Sequence, residues 1–85
     1  MKLYRNKDGK CNDSGCKIRE LREAAGLSQE ELAAKLQLSG LTLTQKAISR
    51  IETGDRIVPD FELVYFSKVL GVSVEALLNI EETRI

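Results

Sequence analysis

Hydrophobic residues recur at intervals of three and four positions along most of the chain, which is the spacing of amphipathic helices. Polar and glycine-containing connections of two to seven residues separate these stretches. Short connections between short helices are typical of a compact all-α domain, which is the fold class that we expect. The pattern predicts five helices, at about 15–25, from 29 to about 37 or 38, at 45–53, at 60–70, and from about 74.

Polar residues mark where these helices should begin. Asp13 or Ser14 is expected to cap the first helix. Ser28 precedes the second, and a glutamate three residues later completes a capping box. We expect Thr44 to cap the third helix, although Thr42 leaves open a start one turn earlier.

The third helix divides its residues between two faces. Ile48 and Ile51 lie on the inner face and are expected in the core. The outer face contains no acidic residue, which favours a polyanionic partner such as nucleic acid over an ordinary solvated face. Taken alone, however, a solvated face would be the commoner explanation. The outer residues are Gln45, Lys46, Ser49, Arg50 and Thr53.

Length and charge limit what the chain can do. Its 85 residues suffice for one small core, and its 13 basic and 13 acidic residues give zero net charge. The charges are unevenly placed: residues 1–22 hold seven basic and three acidic residues, whereas residues 60–85 hold two basic and five acidic. We expect a basic arm at 1–14, flexible or partly docked, a helical domain at 15–80 and a tail at 81–85.

The residue types present argue against several classes of protein. The chain has two cysteines, Cys11 and Cys16, and no histidine. These residues are too few for a four-ligand zinc site, so we expect no metal and no cofactor. An enzyme is not expected, because no histidine, metal set or glycine-rich phosphate loop is present. No signal peptide and no membrane span are visible, which predicts a cytoplasmic protein with reduced, inert thiols. No site for a small-molecule ligand is evident.

Three ordered stretches resemble a known family. They are IRELREAAGLSQEELAAKL, TQKAISRIETGDR and ELVYFSKVLGVSVEALL, and together they cover about three quarters of the chain. In this order they are similar to the Cro/repressor-type helix-turn-helix domain, also called xenobiotic-response-element-like. The resemblance implies a five-helix lambda-repressor-like fold that binds double-stranded operator DNA, commonly as a homodimer. It also implies a bacterial or phage-encoded transcriptional repressor that acts on the nucleoid.

One stretch departs from the family pattern. Leu36 and Ile48 are twelve residues apart, which is longer than the usual family spacing between the second and third helices. The segment QLSGL is interpreted as an insertion, similar to one found in a bacterial subgroup. We expect Leu41 and Leu43 to point inward and to keep the longer turn ordered.

The resemblance also assigns roles to individual positions. Gln29 matches a family glutamine that grips a phosphate and braces the first residue of the reading helix, here Gln45. Arg56 matches a loop residue that holds the DNA backbone, and Thr44 with its neighbouring amides could bind a phosphate. Glutamine pairs with adenine, arginine or lysine with guanine, and serine with several base edges. The implied reading positions are Gln45, Lys46, Ser49 and Arg50.

Two further expectations concern structure and assembly. Arg22 and Glu52 match a family pair that forms a buried ion pair between the first and third helices. Leu77, Leu78 and Ile80 offer more apolar surface than a short last helix can bury, which predicts a homodimer interface there. The same apolar end, with the neutral charge, favours an alternative function: a protein-interaction module such as an antitoxin-like subunit.

Overall fold

The computed structural model describes residues 5–80, and within them the chain forms five helices and no strand. This confirms the predicted all-α fold. The first four residues of the expected arm and the tail at 81–85 lie outside the described residues. The helices are α1 (Gly15–Ala24), α2 (Gln29–Ser39), α3 (Gln45–Thr53), α4 (Asp60–Leu70) and α5 (Val74–Leu77).

Local capping explains where α2 and α3 begin. The Ser28 hydroxyl accepts from the Glu31 amide at 3.0 Å, and the Glu31 carboxylate accepts from the Ser28 amide at 2.8 Å. The predicted capping box is therefore confirmed. The Thr44 hydroxyl accepts from the Ala47 amide at 3.0 Å, so Thr44 rather than Thr42 caps α3.

The start of α1 differs from the prediction. Ser14 occupies the cap position, but its side chain makes no cap hydrogen bond. Asn12 supplies the bond instead: its Oδ1 accepts from the Gly15 amide at 2.7 Å. A Cβ at Gly15 would lie 2.0 Å from the carbonyl oxygen of Ile51, so only glycine permits this close approach of α1 to α3.

The inserted segment lengthens α2 and then anchors the turn. The helix continues to Ser39, past the predicted end, and Gly40 stops it in the left-handed conformation with φ 112°. As predicted, Leu41 is buried and Leu43 packs against the core, so the longer turn is held by apolar contacts. Leu38, on the added part of the helix, is 90% exposed.

The core lies between all five helices. One side of α3 packs against it, and the other side lies on the surface of the domain. α3 packs against α1 and α2, while α4 packs against α1, α2 and α5. Of the helices in the described part of the chain, none has the length and apolar character needed to cross a membrane. The buried hydrophobic residues are Ile18, Leu32, Leu36, Leu41, Ile48, Ile51, Leu63, Phe66 and Leu77.

The last helix corrects part of the predicted dimer interface. Leu77 is completely buried, and Leu78 is half-buried against the core. Only Ile80 remains exposed, at 49%. The interface prediction is therefore wrong for Leu77, because α5 lies against α4 and places this side chain inside the domain.

Candidate nucleic-acid interface

The outer face of α3 is polar, exposed and free of acidic groups. Gln45, Lys46, Arg50 and Thr53 are exposed, and Ser49 is half-buried. The opposite side of the helix is anchored by the fully buried isoleucines of the core. The helix therefore offers solvent two cations and several hydrogen-bonding groups in one place.

The only acidic residue of α3 is turned away from this face. Glu52 has a side chain that is 2% exposed, and its carboxylate forms a bidentate pair with Arg22 of α1. The Arg22 Nε lies 2.7 Å from Oε2, and Nη2 lies 3.0 Å from Oε1. The hydrogen bond to Glu52 raises the pKa of Arg22 above its ordinary value, so the guanidinium stays charged. The predicted ion pair is present and joins α1 to α3.

A chain of hydrogen bonds continues from this ion pair to the surface. Gln29 of α2 donates its Nε2 to the Glu52 carboxylate at 3.0 Å, and Gln45 donates to the Gln29 Oε1. A carboxylate only accepts hydrogen bonds, so Gln29 must turn its nitrogen to Glu52 and its oxygen to Gln45. The amide of Gln45 is oriented in turn, with its Oε1 and its second N–H left for another partner.

The remaining predicted contact positions lie around both ends of α3. Thr44 is exposed at the start of the helix, where free backbone amides gather. Arg50 is exposed near its end, and its Nη2 donates to the carbonyl of Asp55 at 3.2 Å. This single bond leaves most of the guanidinium donors available.

Arg56, in the loop after α3, pairs with Glu62 of α4. Its Nη1 lies 2.8 Å from Oε1 of Glu62, its Nη2 lies 3.2 Å from Oε2, and Nη1 also donates to the carbonyl of Ile57. The hydrogen bond to Glu62 raises the pKa of Arg56. The guanidinium neutralises a buried carboxylate of α4, so Arg56 has a structural role, and its expected contact with a phosphate stays a prediction. No periodicity in the sequence connects these two residues.

The N-terminal loop, residues 5–13, is docked against the end of α3. The Cys11 amide donates to the carbonyl of Gly54 at 2.8 Å, and Lys10 Nζ donates to the carbonyl of Thr53 at 3.1 Å. The Asn12 Nδ2 donates to the carbonyls of Ile51 at 3.0 Å and of Arg56 at 2.7 Å. Residues 5–13 of the expected arm are thus a docked element.

Asn12 is a structural residue that sequence reasoning missed. One side chain caps α1 and satisfies carbonyl groups at and after the end of α3, so it ties the two helices together. Its position three residues before Gly15 was a usable signal, because asparagine accepts from an amide two or three residues later. The contact with α3 had no local signal.

The comparison with known proteins agrees with this geometry. The family model described as Helix-turn-helix matches residues 18–77, which run from within α1 to the end of α5. A comparison with curated proteins found no match. The matched region contains the buried ion pair and the whole outer face of α3. The chain belongs to the Cro/repressor-type helix-turn-helix family, and its domain is of the DNA-binding, transcription-regulating kind.

Proposed function

We propose that the protein is a sequence-specific transcriptional repressor that inserts α3 into the major groove of a double-stranded operator and acts as a homodimer. The observation that carries this proposal is the hydrogen-bonded chain from Glu52 through Gln29 to Gln45. A side chain on an ordinary solvated face needs no such support. A side chain that reads bases does, because reading depends on a fixed direction of donors and acceptors.

The orientation of Gln45 favours adenine as its partner. Adenine presents an acceptor at N7 and a donor at N6 in the major groove, and a glutamine amide pairs with both. The Oε1 of Gln45 would accept from N6, and its second N–H would donate to N7. The N–H already bonded to Gln29 would keep the amide from turning over.

The residues around Gln45 have side chains that suit the remaining contacts with DNA bases and phosphates. Arg50 and Lys46 carry the positive charge that neutralises phosphates or pairs with guanine, and Ser49 can bond to several base edges. Thr44 lies at the N-terminus of α3, where backbone amides and the helix dipole favour a phosphate.

Two simple considerations favour repression and dimerisation. Occupancy of an operator is enough to block transcription, whereas activation needs an additional contact with the transcription machinery. One α3 reads only a few base pairs, and a two-fold partner extends the site by one helical turn of DNA.

Selection from a random duplex pool, followed by sequencing, tests the proposal. We expect an enriched, two-fold symmetric motif. Gln45→Ala should cost about 1–3 kcal/mol on that motif and relax the preference at one base pair per half-site. Gln37→Ala changes an exposed glutamine of α2 and is the matched control, with no expected effect. Absence of any enriched motif would rule out sequence-specific binding.

One observation favours the second candidate, a protein-interaction module. Ile57, Phe61 and Val64 are all more than two-fifths exposed, and they lie close together in the chain. Exposed apolar clusters mark protein contacts. The same DNA selection separates the candidates, since an interaction module of the antitoxin-like type without its own operator would enrich nothing.

A further inference from the structure

α4 is apolar on two opposite sides. Leu63 and Phe66 face the core, whereas Phe61 is 58% exposed and Val64 is 44% exposed on the other side. Ile57, in the loop before the helix, is 51% exposed. Exposed apolar clusters of this kind mark contacts with another molecule. The exposed side of α4 is therefore a candidate for such a contact.

Charged residues frame this apolar side at regular spacing. At about 100° per residue, Phe61, Val64 and Lys68 fall within an arc of roughly 60°, and Asp60 lies about 40° beyond Val64. In the sequence, Asp60 lies four residues before Val64 and Lys68 lies four residues after it, and the two carry opposite charges. Both are exposed, and neither forms an ion pair within residues 5–80. We call Ile57, Asp60, Phe61, Val64 and Lys68 the α4 outer face.

We propose that the α4 outer face binds the same face of a second copy of the chain, with the two α4 helices antiparallel about a two-fold axis at Val64. In this register, Asp60 lies opposite Lys68 of the partner subunit, and Lys68 lies opposite Asp60 of the partner subunit. Val64 meets its own equivalent on the axis, with Phe61 on either side. The face is thus complementary to itself both in charge and in apolar character, which is the requirement of a two-fold interface.

The position of this face suits the proposed DNA reading, on which this inference rests for its biological purpose. Ile57 lies three residues beyond Gly54, the residue that ends α3. An axis through α4 would therefore lie beside the ends of both reading helices. Only a few apolar residues take part on each side, so we expect an association of moderate strength that DNA reinforces.

Sedimentation equilibrium without DNA tests the interface through charge reversal. Asp60→Lys and Lys68→Glu, each alone, would place two pairs of like charges across the axis. Each should raise the dimer Kd at least about tenfold. An equal mixture of the two variants should recover the wild-type Kd as a heterodimer, because both cross-axis pairs are then of opposite charge.

An effect within one molecule cannot imitate this recovery. Asp60 and Lys68 are eight residues apart on one helix, which is about 12 Å along its axis and too far for direct contact. Recovery in the mixture therefore requires contact between subunits. Val64→Asp, which brings two carboxylates together on the axis, should raise the dimer Kd about a hundredfold.

Two control variants carry similar changes elsewhere on the surface. Lys35→Glu reverses an exposed charge on α2, and Leu38→Ser removes the 90% exposed leucine at the end of that helix. Both should leave the dimer Kd unchanged. Thermal unfolding by circular dichroism checks that every variant is folded, which is expected because the substituted side chains of α4 are exposed.

Three results would overturn the inference. They are a wild-type chain that stays monomeric at high concentration, a dimer whose Kd ignores the charge reversals, and a mixture that does not recover. The second would assign dimerisation to another surface, such as Ile80 and the tail. Because the measurement contains no DNA, its failure leaves operator reading untouched, and failure of the DNA selection leaves the interface untouched.

Discussion

The outer faces of α3 and α4 differ although both helices are anchored in the same core. α3 exposes amides and cations, including Gln45 and Arg50, whereas α4 exposes Phe61 and Val64. A polar, acid-free surface suits a hydrated polyanion, and an apolar surface suits another protein. Two neighbouring helices can thus serve two kinds of partner in one small domain.

The two faces also differ in how they are supported. Gln45 is held by Gln29, and Gln29 by the buried carboxylate of Glu52. The exposed side chains of α4 have no comparable hydrogen-bonded support. This agrees with the physics of the two contacts, since base reading is directional whereas apolar burial depends chiefly on area.

The strongest test of the supported face is Glu52→Ala. It leaves the Arg22 guanidinium buried without its carboxylate, which should cost about 3–5 kcal/mol of unfolding free energy. Urea denaturation measures the loss. Glu20→Ala is the control, because the exposed Glu20 pairs with Lys17 within α1 and should cost less than about 1 kcal/mol. Similar losses in both variants would contradict the importance of the buried pair.

A smaller loss is expected for Asn12→Ala. The variant removes three hydrogen bonds, to Ile51, Arg56 and Gly15, at about 1 kcal/mol each, so we expect a loss of roughly 3 kcal/mol in urea denaturation. The control is Asp13→Ala, because within residues 5–80 the Asp13 carboxylate accepts only from the exposed side chain of Asn6. A loss for Asn12→Ala no greater than the control's would mean that the N-terminal loop does not hold α3.

Arg56→Ala tests the ion pair between the loop after α3 and Glu62 of α4, and it has the smallest expected effect. It removes the partner of Glu62, and partial solvent exposure of Arg56 limits the loss to about 1–2 kcal/mol of stability. The slope of log affinity against log salt should stay unchanged on DNA. A slope reduced by about one would mean that Arg56 leaves Glu62 and binds a phosphate. Arg50→Ala, at an exposed position of α3, is the comparison variant.

Much of the fold was predictable because its signals are local. Ser28 and Thr44 cap helices through amides three residues away. Apolar residues that recur every three or four positions identify the buried face of each helix. The extended α2 was only partly predicted. The helix ends because Gly40 adopts a left-handed conformation. The residues just before Gly40 are compatible with several endpoints, so the sequence alone does not locate the end.

The candidate site likewise contains features that the sequence predicted and features that it did not. Its exposed residues on α3 were predictable from periodicity, and the pairing of Arg22 with Glu52 followed from the family resemblance. The contact of Asn12 with α3 and the partner of Arg56 were not predictable, because these contacts join residues from different parts of the fold. Leu77 was misassigned to an interface for the same reason, since only the packing of α5 against α4 buries it.

Local sequence patterns predicted the five helices, most of their boundaries and the polar character of the outer face of α3. Periodicity and capping act over one turn of helix, so they are readable without the fold. Tertiary structure decided which charged groups are available. It turned Glu52 inward, committed Arg56 to Glu62 and left Phe61 and Val64 uncovered. The physical reason is that burial and ion pairing depend on which helices meet, and residues distant in sequence settle that together.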